Sequence, residues 1–255
     1  MVEASLRISS GIESRAGVAT TYLPQPVLFI AYPEVMTDNA PPPKERTRAP
    51  GGGRKKSFDT DDVLVQAVDI FWQHGFADTS IRQLEDELGL TASSIYNTFG
   101  SKHDMLDAAV EKYLGLMDRV VLSELRDADD PLTGLTEFFH RVSIGVDGEH
   151  RWGCFVVSLL TENAGRDEQI NARTGAYFDT LRSEFESALR RAQAAELLTP
   201  ELGTGDFESW VQDQANLLLV NLLGINTAAR GRMGNAVVDS LTASVQMQIE
   251  SWRSD

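Results

Sequence analysis

From Phe58 onward, apolar residues recur every three or four positions, and capping residues or glycines break the pattern at short intervals. Leu64, Ala67, Val68 and Phe71 form one stripe. Asp59 or Thr60 can cap it, acidic residues follow in the first turn, and Gly75 stands past the end, so a first helix is predicted. A second helix starts at Thr79 or Ser80, where Ser80-Ile81-Arg82-Gln83 fits a capping box. It buries Ile81, Leu84 and Leu88 and stops at Gly89. Thr91 caps a third helix over Ala92 to Thr98, pinned inward by Ile95 and Phe99. Ser101 to Asp104 caps a fourth, running to about Arg126, with Leu106, Val110, Tyr113, Met117 and Val120 on one face.

The remainder also reads as helix. Asp130-Pro131 opens a fifth helix to about Val146, broken by Gly148. A sixth spans Cys154 to Asn163, with Gly165 after it, and a seventh runs from about Asp167 to Glu196. Pro200 to Gly205 reads as a loop. An eighth helix runs from Asp206 to about Ala229 and a ninth from Asn235 to Trp252. The expected fold class is all-α, with about nine helices and neither hairpin nor βαβ signature. Residues 1–56 form an extension and arm, 57–103 a helix-turn-helix domain, and 104–255 a sensing and dimerisation domain.

A short helix, a Gly turn and a second short helix mark a helix-turn-helix whose second element lies in the DNA major groove. That element offers Ala92, Ser93, Ser94, Tyr96, Asn97 and Thr98, all small or hydrogen-bonding. No Asp or Glu lies between Gly89 and His103, whereas residues 57–114 hold eleven acids and three bases. A carboxylate there would repel phosphate. Ala67 to Phe71, His74-Gly75-Phe76, Thr79-Ser80-Ile81, Leu88-Gly89-Leu90 and Ser94 to Lys102 together resemble the DNA-binding domain of the TetR family of bacterial one-component transcriptional regulators. The likeness covers about a fifth of the 255 residues.

The resemblance implies phosphate contacts from Tyr96, from Lys102 and from Thr79 or Ser80 at a helix N-terminus. It also implies base-edge contacts from Ser93 and Ser94 beside Ala92, and a guanine or phosphate contact from Arg82. Many family members carry His where this chain has Asn97, which still donates a hydrogen bond but attracts phosphate less. The family's sensing pocket lies between the fourth and eighth helices. Candidates for contact with an unidentified small-molecule effector are Tyr113, Met117, Phe138, His140 and Trp152. Phe155, Phe178, Trp210 and Gln214 complete that set.

Charge changes the picture in two places. The net charge of −15 looks wrong for a DNA-binding protein, but Lys44 to Lys56 holds six bases against Glu45 alone. Arg54 and Lys55 in this Pro- and Gly-rich arm can follow phosphates or enter the minor groove. Residues 115–255 carry twelve bases, all Arg, and twenty-two acids, so that part should not bind nucleic acid. Residues 1–35 lack helical period, and Met36 is the expected natural start. The apolar run Val27 to Tyr32 is too short to cross a membrane.

The eighth helix is apolar on more than one face, and the ninth repeats Val237, Leu241, Val245 and Ile249. Together with Leu218 and Leu222 these predict a four-helix homodimer interface, which would set two recognition helices one turn apart on a near-palindromic operator. Cys154 is the single cysteine, so a reducing, cytoplasmic setting is expected. Its place at a helix start, near His150 and Arg151, suggests a lowered thiol pKa and an electrophile or redox sensor. The four His residues show no metal-ligand spacing, and no phosphate loop is present. No enzyme, cofactor or metal is expected. The expected function is ligand-released regulation, with repression favoured because it needs only promoter occupancy. A DNA-independent helical interaction protein is the alternative from another class.

Overall fold

The computed structural model describes residues 58–145, 153–163, 165–203 and 206–254. Residues 1–57 lie outside the described residues. They include Arg54, Lys55, the rest of the basic arm and the expected start at Met36. Gly148, His150, Arg151 and Trp152 lie outside them as well.

Among the described residues every regular element is helical. Helices α1 (Thr60–His74), α2 (Ile81–Leu88) and α3 (Ala92–Phe99) precede α4 (Lys102–Met117). A π-helical turn, Asp118–Leu122, carries α4 into α5 (Ser123–Asp127) with helical dihedrals at both junctions. Then follow α6 (Pro131–Gly145), α7 (Phe155–Asn163), α8 (Glu168–Ala194), α9 (Phe207–Arg230) and α10 (Asn235–Glu250). Pro200–Gly203, expected as loop, is a 3₁₀ turn.

Local chemistry sets most helix ends. The side chains of Asp59, Ser80, Thr91, Ser101 and Asp167 each accept a first-turn amide of the following helix. The expected capping box of α2 is only half made. Ser80 Oγ accepts the Gln83 amide at 3.1 Å, but Gln83 Nε2 donates to Glu87 Oε1 at 2.8 Å instead of turning back. The reciprocal box forms at α4, where Ser101 and Asp104 each accept the other's amide.

Helix α1 packs along α4, with α2 and α3 closing one end of the pair. The larger unit stacks α8 on α9, α6 on α8, and α10 against α6 and α9. Helix α7 crosses between them and touches α1, α8 and α9. The π turn changes which residues of the rod face inward. Val121 and Leu122 are buried, while Val120, expected on the buried face, is only half-buried. The surplus residue in the turn shifts by one position which residues after it face inward.

Four of the six residues expected at a dimer interface are instead core. Leu218, Leu222, Val245 and Ile249 are buried within the single chain; Leu241 is half-buried and Val237 lies at the surface. The apolar side chains left outside are their neighbours. Leu217 (42% exposed) and Val220 (62%) stand on α9, and Met247 (66%) stands on α10. An all-round apolar helix has an inner and an outer row, and the neighbouring helices decide which is which.

Candidate nucleic-acid interface and interior cavities

The α3 surface is built from the inside out. Ile95 is fully buried and Phe99 packs against the core, so Ser93, Tyr96 and Asn97 on the opposite side face outward. Tyr96 is 48% exposed, an unusual placement for a large ring unless its hydroxyl has a partner outside the chain. Ser93 and Ser94 hydroxyls lie 3.0 and 2.9 Å from Thr91 Oγ1, and Ala92 and Ser94 are half-buried. Arg82 is exposed on α2.

Three details depart from the sequence reading. Thr79 is 1% exposed and its hydroxyl donates to Gly75 O at 2.6 Å, so it cannot hold a phosphate. The exposed Ser80 is the surviving candidate, although its Oγ already caps α2. Lys102 Nζ donates to Phe76 O at 2.7 Å and Thr79 O at 2.8 Å and stands 4.3 Å from the centre of the Phe76 ring. Partial burial lowers its pKa, and one of its three N–H groups is left for an outside acceptor. The surface is also not free of acids. Glu85 Oε1 accepts the Ala92 amide at 2.5 Å, which brings a carboxylate from α2 onto the N-terminus of α3. The clue was a Glu one turn before Gly89, on the side of α2 that faces the next helix start.

In the larger unit, a cavity of about 30 Å³ lies between α4, α6, α7, α8 and α9. Of the residues expected to contact an effector, Tyr113, Met117 and Phe138 line it, and so does Cys154. The other candidates lie elsewhere. His140 is exposed. Phe155 is buried behind Tyr113, ring centres 5.6 Å apart, and Phe178 stands against Tyr177. Trp210 packs on Phe207 and Trp252, and Gln214 accepts from Gln248 Nε2 at 3.3 Å. Leu222, expected at the dimer interface, faces the cavity with Val121, Tyr177 and Asn226. The signal for Asn226 was available, as a carboxamide within an otherwise apolar stretch of α9.

The Cys154 thiol is not activated. It is 8% exposed and accepts the Tyr113 hydroxyl at 3.4 Å. Burial raises its pKa, and that outweighs the lowering by Tyr113 and by the Val156 and Val157 amides at the start of α7. The helix N-terminus pulls the thiol pKa down by less than burial pushes it up.

Polar side chains of the larger unit hold the end of α1 and the start of α4. Arg230, at the end of α9, is ion-paired with Glu162 on α7 and donates to Trp72 O on α1 at 3.2 Å. Glu162 also accepts the Phe76 amide, and its pKa is raised, burial outweighing the pull of Arg230. Gly75 is required beside it, since a Cβ there would stand 2.9 Å from Glu162 Oε2 and the backbone has φ +82°. On the other side, His103 at the start of α4 meets Asp167 before α8 at 2.8 Å.

A capped helix, a Gly turn and an outward-facing short helix, fixed to a separate helical bundle, define a helix-turn-helix transcriptional regulator. Residues 63–109 match the family model described as bacterial regulatory proteins, tetR family. The chain is 28% identical over 137 residues to the HTH-type transcriptional regulator YezE of Bacillus subtilis, spanning 53% of this chain and 69% of that one. It is 37% identical over 62 residues to the HTH-type transcriptional repressor ComR of Escherichia coli, spanning 24% of this chain and 30% of that one. A cysteine-substituted form of the TetR-family regulator CifR, solved with 26-base-pair operator DNA, superposes with a TM-score of 0.66 and 25% identity, covering 78% of this chain and all of that one. Over residues 63–109 the chain carries the DNA-binding domain of the TetR family of bacterial regulators.

Proposed function

We propose that this regulator is a repressor that binds a near-palindromic operator as a homodimer and is released by a small-molecule effector in the cytoplasm. The outward row of α3, with Tyr96, Asn97 and Ser93 exposed over a buried Ile95, carries this reading. Tyr96, Ser80 and the remaining N–H of Lys102 serve phosphates, with Arg54 and Lys55 following the backbone from the arm. Ser93, Ser94 and Ala92 approach base edges, and Arg82 reaches a guanine or a phosphate. Leu217, Val220 and Met247 on α9 and α10, with Val237 and Leu241, form the self-complementary dimer face. The effector acts by favouring a state in which the two α3 helices no longer match the operator, so effector and DNA weaken each other reciprocally.

The interior cavity has room for about two waters, so an effector that enters there must open the bundle. A second reading, sensing of electrophiles or oxidants through Cys154, draws on the thiol's place in the cavity wall. Its raised pKa makes reaction slow, and release by electrophiles that persists in Cys154→Ser would end that reading.

The test is selection of genomic DNA fragments by the purified protein at two salt concentrations. One enriched near-palindrome, weakened by salt, is expected. Absence of any enriched sequence with the arm intact would overturn operator binding.

A further inference from the structure

A second pocket, of about 190 Å³, opens between α7 and α9 and shares Cys154, Val157 and Asn226 with the interior cavity. It is several times roomier, and cavities of about 150 Å³ are known to hold a benzene ring. Asn226 marks it as a built site. The residue is 2% exposed, its Nδ2 donates to Leu222 O at 2.8 Å, and its Oδ1 is buried without any hydrogen-bond partner. A buried acceptor left unpaired destabilises the fold, and Asn226 lines both pockets. The loop before α7 packs directly against it: a Cβ on Gly153 would stand 2.7 Å from Asn226 O.

The hydroxyls on the wall, Ser158 among them, have spent their donors on backbone carbonyls. Thr161 and Thr227 hydroxyls donate to Val157 O and Leu223 O one turn back, at 3.0 and 2.7 Å. The Arg230 guanidinium is held by Glu162 and Trp72 O. The unmet need on the wall is a donor for Asn226 Oδ1. A carboxylate would set its own lone pairs against that oxygen, and an ammonium would sit beside Arg230.

We propose that this pocket binds a small, neutral, single-ring molecule that donates an O–H or N–H hydrogen bond to Asn226 Oδ1. The site is distinct from the interior cavity. Because Arg230 in its wall also holds the end of α1, an occupant that shifts Arg230 shifts the operator-reading domain; that consequence alone rests on the regulatory reading above.

Phenol and anisole are the probes, since methylation removes the donor and keeps the ring. Isothermal titration of the full chain without DNA is expected to show phenol binding about tenfold more tightly, equivalent to about 1.4 kcal/mol. Asn226→Leu should erase that preference. Thr227→Trp, at an exposed position on the mouth, should abolish binding even if the Asn226 variant fails to fold. Val121→Phe, which fills the interior cavity, should leave phenol binding unchanged. Equal binding of the two probes, binding of neither, or loss of binding only in Val121→Phe would each overturn the proposal. None of these outcomes bears on operator recognition, which is measured on DNA alone.

Discussion

The Arg230–Glu162 pair, which joins α9 to α7 where both meet α1, is the clearest place to test the charged contacts of the larger unit. Both side chains are about three-quarters buried, at 29% and 25% exposure. Exposed pairs contribute about 0.2–1 kcal/mol, and removing one partner of a fully buried pair costs about 3–5 kcal/mol. An intermediate site should therefore show a coupling of about 1–2 kcal/mol. The perturbations are Arg230→Met, Glu162→Gln and the double variant, followed by urea unfolding at one fixed protein concentration. With a urea slope of about 2 kcal/mol/M, the coupling appears as about 0.5–1 M of midpoint that does not add between the single variants. Single losses that sum to the double loss within about 0.5 kcal/mol would refute the pair as a fastening.

A pH series sharpens the same experiment. Glu162 has its folded pKa raised above the ordinary 4.5 because burial outweighs Arg230. A raised value means that the group's contribution is fully present below about 4.5 and is lost as pH climbs through the folded pKa. Wild type should thus lose stability relative to Glu162→Gln over that interval and then level off. A gain over the same interval would show that attraction to Arg230, and not burial, dominates.

Other expectations follow from the same geometry. Thr79→Val should cost about 1 kcal/mol of stability, through loss of its bond to Gly75 O, and leave the salt dependence of operator binding unchanged; a shallower salt slope in a binding titration would restore Thr79 as a phosphate contact. Asn97→Lys adds a cation to the exposed row of α3 and should steepen that slope by about 0.9 per protomer, with tighter binding at low salt. Val220→Asp with Met247→Asp should yield a monomer of unchanged helicity in sedimentation, whereas Leu222→Asp should unfold the chain; a dimeric double variant would place the interface elsewhere.

The reading domain was legible because its signals are local. Caps at Asp59, Ser80, Thr91 and Ser101 and stops at Gly75 and Gly89 act within one turn of themselves, and the chain cannot ignore them wherever it packs. The larger unit was legible as helices but not as surfaces. Leu218 and Leu222 differ from Leu217 and Val220 only in which neighbour they meet, and spacing alone cannot say so. Likeness points Thr79 and Lys102 at the DNA, yet backbone carbonyls closer by claim the Thr79 hydroxyl and two of the three Lys102 N–H groups. At Cys154 the helix terminus is visible in the sequence, whereas the burial that outweighs it is not.

The π turn at Asp118–Leu122 makes the long rod tolerant of a change in length. Such a turn is an α-helix carrying one surplus residue. Removing a single residue there would let α4 and α5 run on as one regular helix, with both ends keeping their mutual angle. The same deletion a turn earlier would rotate the whole of α5 by about 100° away from its seat on α6. Between the two units, then, this is the point where the chain can gain or shed a residue without re-aiming what lies on either side.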